Sequence, residues 1–231
     1  MVNSFNTRRQ LLAWLGALAI APKAQAEISV DLALVLAIDC SLSVDDFDYR
    51  LQLRGTGQAM IDSELIQLIE MGNKKVIAVS AFLWSSPDDQ QVIVPWRIIE
   101  TGAAASRVAD DILSAKRIIS AGATATGNAL AFGQKLLASA PSANRQVIDV
   151  STNGHANMGK PVGPIRDALV AENVTINGLA VVDIEPNLAS YMQREVIGGS
   201  GSFVIEASNY NAYTQAIRLK LFREIKGINT A

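Results

Sequence analysis

The chain has an almost unbroken apolar run at residues 30–38 and five further apolar-rich stretches at 75–83, 91–99, 145–150, 174–182 and 202–205. Unbroken apolar runs of this length mark strands buried on both faces, as in parallel sheets. Pro95 lies inside the third run and cannot donate to a ladder, which predicts an edge position for that strand. Between the runs, apolar residues recur at helical spacing over 45–71, 103–115, 127–138, 164–172, 188–196 and 210–225. The last of these sets Tyr213, Ile217, Leu221 and Ile225 on one stripe. Gly55 and Gly57 interrupt the first and predict either a bend or a close backbone approach. Strands alternating with helices predict an α/β fold, a doubly wound, mostly parallel six-stranded sheet with helices on both faces.

Residues 1–26 follow a different pattern. Arg8 and Arg9 precede an apolar run from Leu11 to Ala21, and Ala24-Gln25-Ala26 closes it. A charged start, a short apolar run and an A-x-A site read as a secretory signal peptide. The run is about 11 residues, against the roughly 20 needed to span a bilayer. Thr7-Arg8-Arg9 before two leucines also fits a twin-arginine signal, so the export route stays open. The expectation is a periplasmic or secreted domain over 27–231, with no transmembrane helix once the signal is cleaved.

Composition sharpens this picture. The chain of 231 residues has 20 Lys+Arg against 22 Asp+Glu, a formal charge of −2. The first 26 residues hold Arg8, Arg9 and Lys23 and no acid, so the 205 that follow carry −5. Such a balance offers no cationic excess for nucleic acid. With 49% hydrophobic and 18% charged residues, the chain is core-forming, not disordered. A single cysteine, Cys40, excludes an internal disulfide and cysteine-rich zinc sites. Cys40 ends an apolar strand and reads as a small buried residue.

In open α/β sheets, sites form where loops leave the carboxyl ends of strands. The first strand ends in Asp39-Cys40-Ser41-Leu42-Ser43, three oxygen-bearing side chains in alternation. A second oxygen cluster, Thr124-Ala125-Thr126-Gly127, precedes a helix, and the fourth strand leads into Thr152-Asn153-Gly154-His155. Oxygen donors suit hard cations such as Mg²⁺ or Mn²⁺. The same hydroxyls also serve as ordinary helix caps, and the sequence leaves both readings open. His155, the only histidine, stands at the rim as a metal ligand, a base or an exposed loop residue. A hydrolase built on Ser41 or Ser43 lacks a G-x-S-x-G elbow and an evident acid to orient His155. No G-x-G-x-x-G follows the first strand and no G-K-[ST] occurs, so phosphate-loop sites are excluded. Gly198-Gly199-Ser200-Gly201 precedes a strand and reads as a turn. Trp84 and Trp96 lie at or near the ends of neighbouring strands, as core caps or as partner anchors.

The order D-x-S-x-S, then G-x-T-x-T-G-x-A-L, then a third polar loop resembles the von Willebrand factor A domain. Stretches 33–43, 147–151, 176–178 and 196–203 are similar to an exported bacterial subfamily without established function. The resemblance spans 30–225 and implies a metal-ion-dependent adhesion site at Asp39, Ser41, Ser43, Thr124 and Asn153. It implies that Ser41, Ser43 and Thr124 hold the ion directly, with Asp39 and Asn153 acting mainly through waters. Asn153 stands where the family has a second Asp, which leaves one carboxylate and implies weakened binding of Mg²⁺ or Mn²⁺. Deamidation of Asn153, followed by Gly154, would restore the acid. The resemblance implies a module that binds a protein ligand at its upper loops. The alternative is a metal-independent scaffold or partner subunit of an envelope complex, and an enzyme is the least expected outcome.

Overall fold

The computed structural model describes residues 28–117 and 122–227. The segment read as a signal peptide lies outside the described residues. Six strands form one sheet: β1 (Ser29–Asp39), β2 (Ile77–Trp84), β3 (Gln90–Ile99), β4 (Ser142–Thr152), β5 (Val174–Val181) and β6 (Val204–Ala207). Their order is β3-β2-β1-β4-β5-β6, parallel throughout except for the antiparallel β2–β3 pair. The connection between β2 and β3 is too short for a crossover, which forces them antiparallel. β3 lies at the edge, as Pro95 requires, and its register against β2 shifts on either side of Ala81.

β1 holds the centre, and its apolar run resolves into two faces. Leu32, Leu34, Leu36 and Ile38 face one core; Ala33, Val35 and Ala37 face the other. Large side chains thus meet α1 (Asp46–Met60), α2 (Ser63–Glu70), α3 (Gly102–Leu113) and α7 (Tyr213–Lys226). Small ones let α4 (Thr126–Leu137), α5 (Val162–Ala171) and α6 (Leu188–Tyr191) approach the opposite face. A π-helical turn over Met192–Val196 continues α6.

The single helix expected over 45–71 is two. The break lies at Ile61–Asp62, where the Asp62 carboxylate accepts the amides of Glu64 and Leu65 at 2.9 and 3.3 Å and caps α2. An aspartate competes with helix continuation by capping a new start. Gly55 and Gly57 instead mark close approach. A carbon added to Gly55 would lie 2.9 Å from Tyr213 Cδ1 and 3.0 Å from Thr214 Cα, and one on Gly57 3.0 Å from Leu113.

The chain runs from β1 outward to β2 on one side, and from β1 to β4 on the other. The reversal leaves a crevice beyond the carboxyl ends of these strands, the expected place for a site.

Candidate metal centre

The loop after β1, the loop before α4 and the loop after β4 converge on that crevice. Leu42 N donates to Gly122 O at 3.1 Å, tying the first loop to the second. Asn157 ties the third: its amide donates to Thr124 O at 3.0 Å, and its side-chain oxygen accepts from Thr124 N at 2.9 Å. Gly127 permits the approach, since a carbon there would lie 2.1 Å from Lys160 O.

Neither hydroxyl cluster caps a helix. Asp45 caps α1, accepting from the amides of Phe47 and Asp48 at 2.7 and 2.8 Å. Ala125 holds the cap position of α4, with no side-chain cap bond. The hydroxyls of Ser41, Ser43 and Thr124 are therefore spent on one another. Thr124 Oγ1 donates to Ser41 Oγ at 3.5 Å, and Ser41 Oγ lies 3.3 Å from Ser43 Oγ. Ser43 Oγ donates to Asn153 Oδ1 at 2.7 Å, and Asn153 Nδ2 returns a bond to Ser43 O at 3.1 Å.

Asp39 lies beneath this ring with no solvent exposure. Its Oδ1 accepts from Ser41 N at 2.7 Å and its Oδ2 from Thr152 Oγ1 at 2.5 Å. Burial raises the carboxyl pKa above its ordinary value; the bonds from Thr152 and Ser41, and then the Arg117 charge, oppose the rise.

The oxygen geometry fits a hard cation. Adjacent ligands of an octahedral Mg²⁺ with bonds of about 2.1 Å are about 3 Å apart. The Ser41–Ser43 and Thr124–Ser41 spacings of 3.3 and 3.5 Å are close to that edge. The charge fits less well, because Asp39 is the one carboxylate in the ring. Among the described residues, no group of three or more His, Cys, Asp or Glu could hold a metal, so hydroxyls dominate any site here.

Several participants are invisible in the sequence motif. Thr152 binds Asp39 and also bridges Gly154 N and Gly154 O, each at 3.2 Å. Gln52 Nε2 donates to Asp39 O at 3.0 Å from inside α1. Arg117 braces the first loop from below, donating to the carbonyls of Cys40, Ser41 and Val44 at 3.1, 3.2 and 2.6 Å and pairing with Asp46 at 3.0 Å. No local spacing announces these; all but Thr152 come from elements remote in the chain.

His155 corrects one expectation. Glu185, after β5, does orient it, with Oε2 3.1 Å from Nδ1, and the ring packs on Tyr191 with centroids 4.2 Å apart. No hydrogen bond joins His155 to Ser41 or Ser43 among the described residues. Gly154 lies between Thr124 and Glu185: a carbon there would lie 3.6 Å from Thr124 Oγ1 and 3.8 Å from Glu185 Oε1. Trp84 is buried in the second core; half-buried Trp96 donates Nε1 to Leu136 O at 3.1 Å. Both are core residues, not rim anchors. Cys40 is buried, its thiol donating to Trp84 O at 3.3 Å and pushed up to about 12, chiefly by burial.

A family model described as "Protein of unknown function (DUF1194)" matches residues 29–229. The chain belongs to this family. The DUF1194 chain also shares the von Willebrand factor A fold with solved structures. Proximal thread matrix protein 1 from the mussel byssus superimposes with a TM-score of 0.63 at 15% identity, covering 86% of this chain and 49% of that one. A form of that matrix protein with a zinc-occupied adhesion-site motif superimposes at 0.62. The pilus adhesin SpaC of Lactobacillus rhamnosus GG gives 0.60 at 13% identity, with 86% and 31% covered. A von Willebrand factor type A protein from Catenulispora acidiphila gives 0.54 at 18% identity, with 83% and 42% covered. The DUF1194 chain therefore spans at most about half of these longer chains. No curated protein matches it.

Proposed function

We propose that this domain is an exported binding module that presents its upper loops to a protein ligand, with a weakened divalent-cation site at their centre. The observation that carries the reading is what surrounds the hydroxyl ring. Four large apolar side chains stand exposed on the loops leaving the strand ends and the first turn of α1: Leu42 at 71%, Phe47 at 57%, Met158 at 56% and Ile184 at 60%. Asp45, Asp46, Asp48 and Asp183 lie among them on the same loops. Exposed apolar side chains around a polar centre are the usual composition of a recognition surface.

In this reading Ser41, Ser43 and Thr124 hold Mg²⁺ or Mn²⁺, and Asp39 and Asn153 act through waters. The cation would offer an open position to a carboxylate of the ligand. Both the mussel matrix protein and the pilus adhesin share the fold, which supports a binding role more than an enzymatic one. Nor do the serine hydroxyls touch a general base among the described residues.

One observation favours a metal-independent scaffold instead. The Ser43–Asn153 pair satisfies itself at 2.7 and 3.1 Å, without an ion.

Thermal unfolding with and without Mg²⁺ or Mn²⁺ separates the readings, in wild type, Asn153→Asp and Ser41→Ala. A cation at about ten times its Kd stabilises by about 1.4 kcal/mol, or roughly 3–6 °C for a domain of this size. The module reading expects a small rise in wild type, a larger one in Asn153→Asp and none in Ser41→Ala. A response confined to Asn153→Asp establishes the scaffold. No response in any variant removes the site assignment.

A further inference from the structure

A large cavity lies at the other end of the sheet, at the amino ends of β4 and β5. Its volume is about 780 Å³, within the roughly 300–1,000 Å³ of small-molecule sites. Arg145 of β4 and Arg223 and Lys226 of α7 line it, and no aspartate or glutamate does. None of the three cations has a carboxylate within ion-pair distance among the described residues. That convergence arises in a chain whose acids outnumber its bases, 22 to 20.

Cations favour helix C-termini, and Arg145 Nη1 does donate to Glu224 O at 2.9 Å in the last turn of α7. That role accounts for only part of the charge. A helix end carries about half a negative charge, and three cations exceed it. The nearby Glu224 carboxylate is turned inward, accepting Lys220 Nζ at 2.7 Å and Asn177 Nδ2 at 2.9 Å. Arg223 is preorganised, with its guanidinium 4.1 Å from the Phe203 ring centre. The remaining walls are uncharged: the amides of Asn144 and Asn173, and the turn at Gly199–Gly201. Gly199 and Gly201 have φ of +91° and +68°, and a carbon on Gly199 would lie 2.8 Å from Val174 O. The amides of Ser200 and Gly201 have no acceptor among the described residues.

We propose that this cavity is a second binding site, for a hydroxyl-bearing phosphate ester. Guanidinium groups match phosphate oxygens in pairs, and neutral amide side chains suit hydroxyls. The room exceeds what one inorganic ion fills. The site is independent of the metal ring, about 23 Å away along β4 at about 3.3 Å per residue.

Calorimetric titration with glucose 6-phosphate, pyrophosphate and glucose tests it, beside flotation with phosphatidylglycerol and phosphatidylcholine vesicles. The expected result is saturable binding of glucose 6-phosphate above pyrophosphate, none of glucose, and amide NMR shifts centred on Asn173, Gly199, Gly201 and Phe203. Preference for phosphatidylglycerol vesicles instead would name a lipid headgroup as the source of the same chemistry. In Arg223→Ser/Lys226→Ser, on exposed positions, affinity for whichever phosphate binds should fall about a hundredfold, about tenfold per cation. The charge-matched Arg50→Ser/Arg54→Ser control should leave it unchanged. Absence of saturable binding to either source overturns the site. So do undiminished affinity in the first double variant, an equal fall in the control, or shifts that map elsewhere.

Discussion

Asn153 takes the place of an acid without leaving a hole. It is buried, and both ends of its amide are bonded to Ser43. That locks the side chain away from the backbone nitrogen of Gly154, the attack on which deamidation depends. Peptide mapping of aged folded protein should therefore find Asn153 intact, and unfolded protein should deamidate there. Thr152 is the second lever on the site. Thr152→Val removes the donor to Asp39 Oδ2 and strands buried acceptors, a loss of about 1–3 kcal/mol. Urea unfolding should show it, with the metal response lost as well, because Asp39 then holds its proton more tightly. Asp39, Ser41, Ser43, Thr124 and Asn153 were legible because three loops carry them in a recognisable order, and the structure brings all five together. Arg117, Gln52 and Glu185 were not legible. Each acts through a carbonyl or a ring brought near only by folding, and no spacing in the chain encodes that.

At the level of elements, α7 is bound to the sheet by buried polar contacts as well as by its apolar stripe. Tyr213 Oη donates to Ser151 Oγ at 3.2 Å. Lys220 Nζ lies 2.6 Å from Asp149 Oδ1 and 2.7 Å from Glu224 Oε1, all three side chains fully buried or nearly so. Burial pushes the Asp149 carboxyl up to about 7; Lys220 opposes the rise and Glu224 adds to it. The folded state thus binds this proton more tightly than the unfolded chain. The associated stability is complete below about pH 4 and is lost as pH rises through about 7. Urea midpoints measured from pH 5 to 8 should fall with pH, and Asp149→Asn should flatten the slope. Lys220→Met, which leaves two buried carboxylates without their cation, should cost about 3–5 kcal/mol. Gly55→Ala should destabilise by about 1–3 kcal/mol, although alanine favours helices, because α7 occupies the space. The apolar runs and the period-3.6 pattern made nearly every strand and helix legible, and Pro95 gave the edge. The division of 45–71 at Asp62 was hidden because an N-cap aspartate is indistinguishable from a solvent-facing helix residue until packing fixes its neighbours.

The whole molecule has two unlike ends. Loops at the carboxyl ends of the strands combine acids with exposed apolar side chains; the amino end of β4 and β5 gathers arginine and lysine around a cavity. Among the described residues no helix is long and apolar enough to cross a membrane. The net charge of −5 over residues 27–231 conceals this polarity, since opposite fields partly cancel in the sum. A domain with separate faces of this kind can hold one partner at each end without either blocking the other.

Cys40 sits between these scales. Its sulfur is sealed inside the central strand's end, one residue from Asp39 and under the first loop. As the chain's only thiol, it is a ready-made clock for opening of the candidate site. An alkylating reagent can reach it only when β1 and its loop come apart, so the labelling rate counts those openings. Cation binding at the ring should slow that clock in Asn153→Asp more than in wild type, and ligands of the far cavity should slow it only as far as they stabilise the whole fold.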